Sequence, residues 1–219
     1  MKRFLWIFVF GILFLLALNN FIFHKYAAEG GIKDLREKLI SIASGASRSI
    51  DADLLLKIPL LPEGDKTQEY KTVYEELLRI KETNPSIKYV YIMTATEKPG
   101  FLQYVIDADP VPEIITAKSP TSFSGDYYDA RNLPEMLAAF KGPSADRKFV
   151  MDKWGATLSG YAPIYDKNGK AIAILGVDID AASMYATQTK SQNLLLFVLI
   201  TGILFSLSFL SLFLKTINS

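Results

Sequence analysis

The stretch from Ser159 to Asp180, SGYAPIYDKNGKAIAILGVDID, predicts two β-strands joined by a tight turn. Its centre holds Asn168-Gly169, a pair that hairpin turns favour because both residues tolerate a positive φ. The apolar runs on either side are typical of paired, well-buried strands. The second run ends in the carboxylates of Asp178 and Asp180. We therefore expect a hairpin that closes a sheet shortly before the chain becomes strongly apolar.

Two segments without any charged residue lie near the ends of the chain, at 4–23 and 193–214. Because about 20 helical residues cross the hydrocarbon core of a bilayer, we predict membrane helices at 4–23 and 194–214. The alternative for the first segment is a cleaved signal peptide, since Lys2 and Arg3 precede the apolar run. No A-x-A cleavage site follows that run, which favours an uncleaved anchor.

Basic flanking residues predict the orientation of these segments. Lys2 precedes the first segment and Lys215 follows the second, and positively charged flanks tend to stay in the cytoplasm. We therefore expect residues 1–3 and 215–219 to be cytoplasmic. Residues 24–193 would then form an extracytoplasmic domain on the inner membrane, in contact with membrane lipid.

The composition argues against several classes of function. The chain has no Cys, a single His and a formal net charge of +1. It therefore has no disulfide, no thiolate metal site and no covalently attached c-type haem. With His24 alone at the predicted membrane boundary, Ser-His-Asp, Cys-His and His-rich zinc sites are also excluded. We expect no enzymatic activity, no cofactor and no nucleic-acid partner; a calcium site in DADP or DID remains an alternative.

Hydrophobic periodicity predicts an α+β domain with a long N-terminal helix and a five-stranded, mainly antiparallel sheet. Thr67 is the predicted N-cap of the second helix, and Asn132 that of a later short helix. An irregular segment with several prolines, 110–128, separates the two halves of the sheet. In order, the predicted elements are helices at 32–58 and 68–82, strands at 87–95 and 101–109, a short helix at 131–142, and strands at 148–155, 156–166 and 170–180.

Several phrases, in their order along the chain, resemble the extracytoplasmic PAS-like sensor domains called Cache domains, in the single-module form. Such domains precede the output parts of bacterial diguanylate and adenylate cyclases, histidine kinases and chemoreceptors. The resemblance covers roughly residues 30–182. The phrases that carry it are LISIASGASRSIDADLL (39–55), IKYVYIMT (87–94), YVIDAD (104–109), GDYYD (125–129) and WGATLSGYAPIYDKNGKAIAILGVDID (154–180).

This resemblance implies a small-molecule pocket on one face of the sheet, covered by the irregular segment and the short helix. In amino-acid-binding members, an Asp at the end of the last strand binds the ligand's amino group, and Asp178 matches that position. Those members bind the carboxylate through an Arg-x-Trp-Tyr motif, which is absent from SGDYYDARNLPEM at 124–136. The resemblance therefore implies a neutral or amine-bearing ligand rather than an ordinary α-amino acid.

The predicted ligand-binding residues combine Asp178 with aromatic side chains, because buried Tyr and Trp need partners for their polar tips. For each aromatic residue the alternative is core packing, and for Asp178 it is capping of the turn after the last strand. The predicted set is Tyr89, Tyr91, Tyr104, Tyr127, Trp154, Tyr161 and Asp178.

Two functional hypotheses follow. In the first, the chain is the sensing part of a two-span bacterial receptor that lacks its cytoplasmic output domain. It would form a homodimer through the N-terminal helix and transmit the ligand state through the second membrane helix. Its output partner would then be a separate membrane or cytoplasmic protein. In the second, it is a membrane accessory protein that binds no ligand and organises a partner protein.

Overall fold

The computed structural model describes residues 2–108, 122–152 and 155–180, together with 196–197, 200–204, 207–208 and 211. The chain divides into two compact units, one within 1–31 and 184–219 and the other within 32–183. The second unit lies within the range 24–193, where the sequence predicts the extracytoplasmic domain.

The described sheet of this unit is antiparallel and has seven strands. Their order across the sheet is β3-β2-β1-β7-β6-β4, and β5 also pairs with β6. The prediction of five strands was wrong because it lacked β3 and β4, which hold only three and two residues. The strand β5 also has three residues but lies within the longer predicted strand 148–155. The strands are β1 (Tyr89–Ala95), β2 (Phe101–Asp107), β3 (Tyr127–Asp129), β4 (Ser144–Ala145), β5 (Val150–Asp152), β6 (Gly155–Tyr165) and β7 (Ala171–Asp180).

The turn between β6 and β7 forms where the sequence predicts it. Gly169 has a φ of 78° and donates its N–H to the carbonyl oxygen of Asp166 at 3.0 Å. The Asp166 carboxylate also accepts from the N–H groups of Asn168 at 2.9 Å and Lys170 at 2.8 Å. These bonds fix the register of the hairpin, which pairs the two longest strands of the sheet.

The predicted helices are present, but the first, expected to be continuous over 32–58, is interrupted: one helix ends at Ser47 and another covers only Ala52–Leu55. Thr67 is the N-cap of α3, as predicted, and accepts from the N–H of Tyr70 at 3.2 Å. The predicted cap Asn132 was wrong, because the N-cap of α4 is Leu133, which makes no side-chain hydrogen bond. The helical elements are α1 (Lys2–Ser47), α2 (Ala52–Leu55), a 3₁₀ helix (Pro62–Lys66), α3 (Gln68–Thr83) and α4 (Pro134–Ala138).

The larger hydrophobic core lies between one face of the sheet and the helices α1 and α3. Leu39 of α1 and Leu77 of α3 are almost completely buried there, together with Ile92 of β1. A Cβ atom built on Gly160 of β6 would lie 2.7 Å from the backbone carbonyl carbon of Leu39. Gly160 therefore allows the backbone of α1 to lie directly against the sheet.

The described helices also bear on the predicted membrane segments. Within the part of the chain that is described, no helix combines the length and the apolar character needed to cross a membrane. The spans at 4–23 and 194–214 therefore stay predictions from the sequence.

Candidate functional site

The face of the sheet that is turned away from α1 carries a second buried cluster, rich in tyrosine. Tyr91 of β1 and Tyr161 of β6 both pair with Gly176 of β7, and Asp178 of β7 pairs with Ser159 of β6. Because side chains of directly paired residues share one face of a sheet, these positions form one surface. The buried members of this cluster are Tyr91, Met93, Leu102, Tyr104, Ala130, Leu133, Met136, Ala139, Tyr161 and Ile174.

Asp178 lies within this surface and is 7% exposed. Its carboxylate oxygen Oδ1 accepts a hydrogen bond from the Tyr91 hydroxyl at 3.1 Å. Its backbone carbonyl accepts from the N–H of Lys88 at 2.8 Å, which fixes the end of β7 against β1. Burial raises the pKa of Tyr91 well above its ordinary value, and the negative charge of Asp178 raises it further, so the phenol stays protonated and acts as a donor.

Three tyrosine rings extend this surface across β1, β2 and β3. The rings of Tyr91 and Tyr104 meet edge to face, with centroids 6.0 Å apart. The ring of Tyr104 meets that of Tyr128 in the same way at 6.2 Å. Edge-to-face contacts of this kind stabilise an aromatic cluster beyond the area that they bury.

Tyr128, and not the predicted Tyr127, packs against the tyrosine-rich surface. Tyr127 is 67% exposed and lies outside the cluster, whereas Tyr128 packs against it. Neighbouring side chains of a strand point to opposite faces, so only one of the two can join the surface. Sequence reasoning missed Tyr128 because β3 is too short to reveal which face each residue takes.

Two other predicted residues lie at the edge of the surface or outside the described residues. Tyr89 is half-buried, and the Nζ atom of Lys88 lies 5.0 Å from the centroid of its ring. Lys88 also forms an ion pair with Asp180 at 3.1 Å; the contacts with Tyr89 and Asp180 raise its pKa. Trp154 lies outside the described residues.

Asp146, which the sequence did not single out, is a second buried carboxylate beside this surface. It follows β4 and is only 3% exposed. Both carboxylate oxygens lie 3.2 Å from the Tyr161 hydroxyl, and Oδ2 accepts from the N–H of Ser159 at 3.2 Å. Burial raises the pKa of Asp146 to about 6, and nearby Glu135 adds to the rise, while these hydrogen bonds oppose it. Nothing in the polar stretch PSADRK signals this burial, which depends on the pairing of β4 with β6.

The backbone at Asp146 also connects the sheet to α1. Arg36 of α1 donates from Nε to the carbonyl oxygen of Asp146 at 2.9 Å and from Nη2 to that of Ala145 at 3.2 Å. The phenol of Tyr161 therefore bonds to a residue whose main chain is held by α1. Burial raises the pKa of Tyr161 well above its ordinary value, and the charges of Asp146 and Asp178 add to the rise.

Arg131 lies in the stretch where the resemblance expects a carboxylate-binding motif, but it is engaged at the surface. Its Nε donates to Oδ1 of Asp129 at 2.8 Å, and its guanidinium carbon lies 5.0 Å from the centroid of the Phe101 ring. The hydrogen bonds from Arg131 lower the pKa of Asp129 to about 2. Among the described side chains there is also no group of three or more acidic or histidine residues that could hold a metal ion.

Comparison with known proteins gives matches in structure only. No family model matches the chain, and no curated protein matches its sequence. The ligand-binding domain of the Campylobacter jejuni chemoreceptor Tlp3 in complex with L-valine matches 82% of this chain, with a TM-score of 0.52 and 18% identity. The same domain in complex with L-norvaline matches 81% of the chain, with a TM-score of 0.53 and 17% identity. The Tlp3 sensory domain with isoleucine bound gives a TM-score of 0.50 at 15% identity over 82% of the chain.

The chain shares its fold with these ligand-binding domains of the Tlp3 chemoreceptor. At these identities the likeness establishes the fold alone. The chain spans 66% of the length of the Tlp3 domain with L-valine and 64% of that with L-norvaline. The tyrosine-rich surface lies on the face of this sheet opposite α1, and the pocket that the sequence resemblance implies stays a prediction.

Proposed function

We propose that this chain is the extracytoplasmic sensing part of a bacterial transmembrane signalling receptor, and that its ligand is a small molecule with a protonated amine. The observation that carries the proposal is the Asp178 carboxylate, 7% exposed among tyrosine rings on the face opposite α1. Asp178 accepts a hydrogen bond from the Tyr91 hydroxyl, and a carboxylate has further lone pairs that can accept bonds from a ligand. An ammonium group beside Asp178 would be bound by charge and by charge-assisted hydrogen bonds.

The described residues favour an amine without an α-carboxylate. An α-amino acid needs a cationic or strong donor group for its carboxylate. Arg131 bonds to Asp129 at the exposed edge of the sheet, and Lys88 pairs with Asp180 beside Tyr89. Both cations are therefore already engaged by carboxylates outside the tyrosine-rich surface. We expect this domain to differ in this respect from the Tlp3 domain, whose bound ligands include L-valine and isoleucine.

A comparison of three small probes tests this proposal. L-valine has both charged groups, isobutylamine keeps only the amine, and isovalerate keeps only the carboxylate. We expect isobutylamine to raise the melting temperature of the full chain in detergent and isovalerate to leave it unchanged. At about 100 times its Kd a ligand stabilises by about 2.7 kcal/mol, which for a domain of this size is about 5–10 °C.

Asp178→Asn is the matched variant, since it keeps the size of the side chain and removes its charge. We expect it to abolish the shift with isobutylamine. A shift with isovalerate, or an equal shift in Asp178→Asn, would contradict an amine bound at this carboxylate. Failure of isobutylamine and of larger primary amines to shift the native chain would favour the hypothesis of an accessory protein.

We further propose that the ligand state reaches the membrane through the helices next to the domain. A ligand changes an equilibrium only by its difference in affinity for the two states, so bound and free domains must hold these helices differently. In this proposal the segments at 4–23 and 194–214 cross the inner membrane, residues 24–193 lie outside, and two copies associate through α1. The output enzyme or kinase then acts on the cytoplasmic side, and this chain itself is not catalytic.

Spin labels near the outer ends of the two apolar segments test the transmission step. We expect the distance distribution between them, measured in full-length protein in lipid nanodiscs, to change when isobutylamine is added. An unchanged distribution under saturating isobutylamine, with binding confirmed separately, would rule out this route while leaving ligand binding intact.

A further inference from the structure

Gly176 lies directly beneath the ring of Tyr91. A Cβ atom built at position 176 would be 2.3 Å from Cε2 of Tyr91, 2.4 Å from Cζ and 2.8 Å from the hydroxyl oxygen. Real Cβ atoms do not approach other atoms this closely, so any other residue at 176 would displace the ring. The Tyr91 ring thus lies across β7 in a space that only glycine leaves open.

The strand register explains why this placement brings the Tyr91 hydroxyl to Asp178. Tyr91 pairs directly with Gly176 across the β1–β7 ladder. Asp178 lies two residues further along β7, on the same face of the sheet. A ring that stood upright from β1 would point away from β7; lying over Gly176, it places its hydroxyl 3.1 Å from the Asp178 carboxylate.

We propose that Gly176 is a positioning residue of the ligand site: through the ring of Tyr91 it fixes the hydrogen bond to Asp178, and with it the place where the ligand's charged group binds. The role in ligand binding rests on the proposed function, whereas the placement of the ring rests on the geometry alone. The competing explanation is that the ring only covers a glycine that would otherwise weaken the strand. That explanation predicts a loss of stability without a change in binding.

The first test follows the Tyr91 ring in the full-length chain labelled with ¹³C at tyrosine Cζ, its resonance assigned by comparison with Tyr91→Phe. In the native chain we expect this resonance not to titrate at the pH where ordinary tyrosines ionise, because burial and Asp178 raise the pKa of Tyr91 well above its ordinary value. In Gly176→Ala the displaced phenol should titrate near the ordinary tyrosine value of about 10. An unchanged resonance and titration in Gly176→Ala would overturn the proposal.

Gly160→Ala is the matched control. It also adds one methyl group to a glycine of the central hairpin, but on the other face of the sheet, where it meets the backbone of Leu39. We expect Gly160→Ala to lower the melting temperature and to leave the Tyr91 resonance in place. If Gly160→Ala displaces the Tyr91 ring as well, the effect at position 176 is not specific, and the proposal fails.

A second variant keeps the test decisive even if Gly176→Ala alone is poorly folded. Tyr91→Ala removes every ring atom that a Cβ at 176 would meet. In the native background we expect Gly176→Ala to lower the melting temperature by about 3–8 °C, as overpacking does. In the Tyr91→Ala background the same change should have little further effect. Equal losses in both backgrounds would show that Gly176 does not act through Tyr91.

The affinity for isobutylamine, measured by calorimetry, tests the role in binding. We expect Gly176→Ala and Tyr91→Phe each to weaken binding about 2- to 10-fold, because without the Tyr91 bond the Asp178 carboxylate is no longer held in place before the ligand binds. Unchanged affinity in a Gly176→Ala chain whose Tyr91 ring has moved would overturn the role in binding. If the native chain binds no amine, the proposed function fails, and the resonance and the two-background comparison alone decide the placement of the ring.

Discussion

The buried carboxylate of Asp146 makes a quantitative prediction about how stability depends on pH. Its pKa is raised from 3.8 to about 6, chiefly by burial. A carboxyl group whose pKa is higher in the folded state favours folding when protonated. This contribution to the free energy of unfolding is fully present below pH 3.8 and is lost as the pH rises through about 6. A difference of about 2 pKa units corresponds to about 3 kcal/mol, which the ionised group costs the folded state near neutral pH.

Asp146→Asn replaces the ionising group by a neutral one of almost the same shape. The amide changes the hydrogen bonds to Tyr161 and Ser159 by an amount that does not depend on pH, so the slope is the informative quantity. We expect the free energy of unfolding of the variant, relative to the native chain, to rise by about 2 of these 3 kcal/mol between pH 4 and 6 and to level off by about pH 7. The measurement is denaturation by urea, followed by circular dichroism of the full chain across this pH range.

Asp129→Asn is a control because the pKa of Asp129 is shifted downward, opposite to that of Asp146. The pKa of Asp129 is lowered to about 2 by Arg131, so its contribution to stability changes only below the ordinary carboxyl range. Its difference curve should therefore stay flat from pH 4 to 6. A flat curve for Asp146→Asn over the same range would refute the reasoning, because it would mean that Asp146 is solvated or paired with a cation in solution.

Three further predictions concern the framework of the domain and are measured by the same denaturation of the full chain. Gly45→Ala should stabilise by about 0.5–1 kcal/mol, because position 45 is an exposed site of α1 with no atom near an added Cβ; a loss of stability would contradict this. Thr67→Ala should destabilise by about 1 kcal/mol by removing the N-cap of α3, and Thr67→Ser should retain most of the native stability. Leu77→Ala should destabilise by about 2–5 kcal/mol, because the side chain is fully buried between α3 and the sheet; a cost below 1 kcal/mol would show that this core is loosely packed.

Much of the framework follows from local signals in the sequence. Thr67 precedes a helical apolar pattern, and its side chain can bond only to N–H groups a few residues ahead, so the start of α3 is a local matter. The turn at Asn168-Gly169 is equally local, since the positive φ of Gly169 and the bonds to Asp166 involve only neighbouring residues. The four longer strands, β1, β2, β6 and β7, are predicted for the same reason, whereas β3 and β4 are not.

The candidate site depends more on contacts between residues distant in sequence. The position of Asp178 at the end of a buried strand, and several of the tyrosines, can be read from the sequence. The sequence does not show that Tyr128 rather than Tyr127 joins the surface. Nor does it show that Asp146 is buried or that Gly176 leaves space for a ring. Each of these depends on which strand lies alongside, and strand pairing joins residues such as Tyr91 and Gly176 that are far apart in the chain.

By itself, then, the sequence determined the α+β class, the capped helix, the closing hairpin and the carboxylate at its end, because these depend on neighbouring residues and on periodicity. Only the tertiary structure decided which tyrosines share a face with Asp178, that a second carboxylate lies beside them, and that a glycine makes room for the ring of Tyr91. The physical reason is that burial and close contact are properties of paired strands, and the pairing is settled by the packing of the whole sheet rather than by any one segment of it.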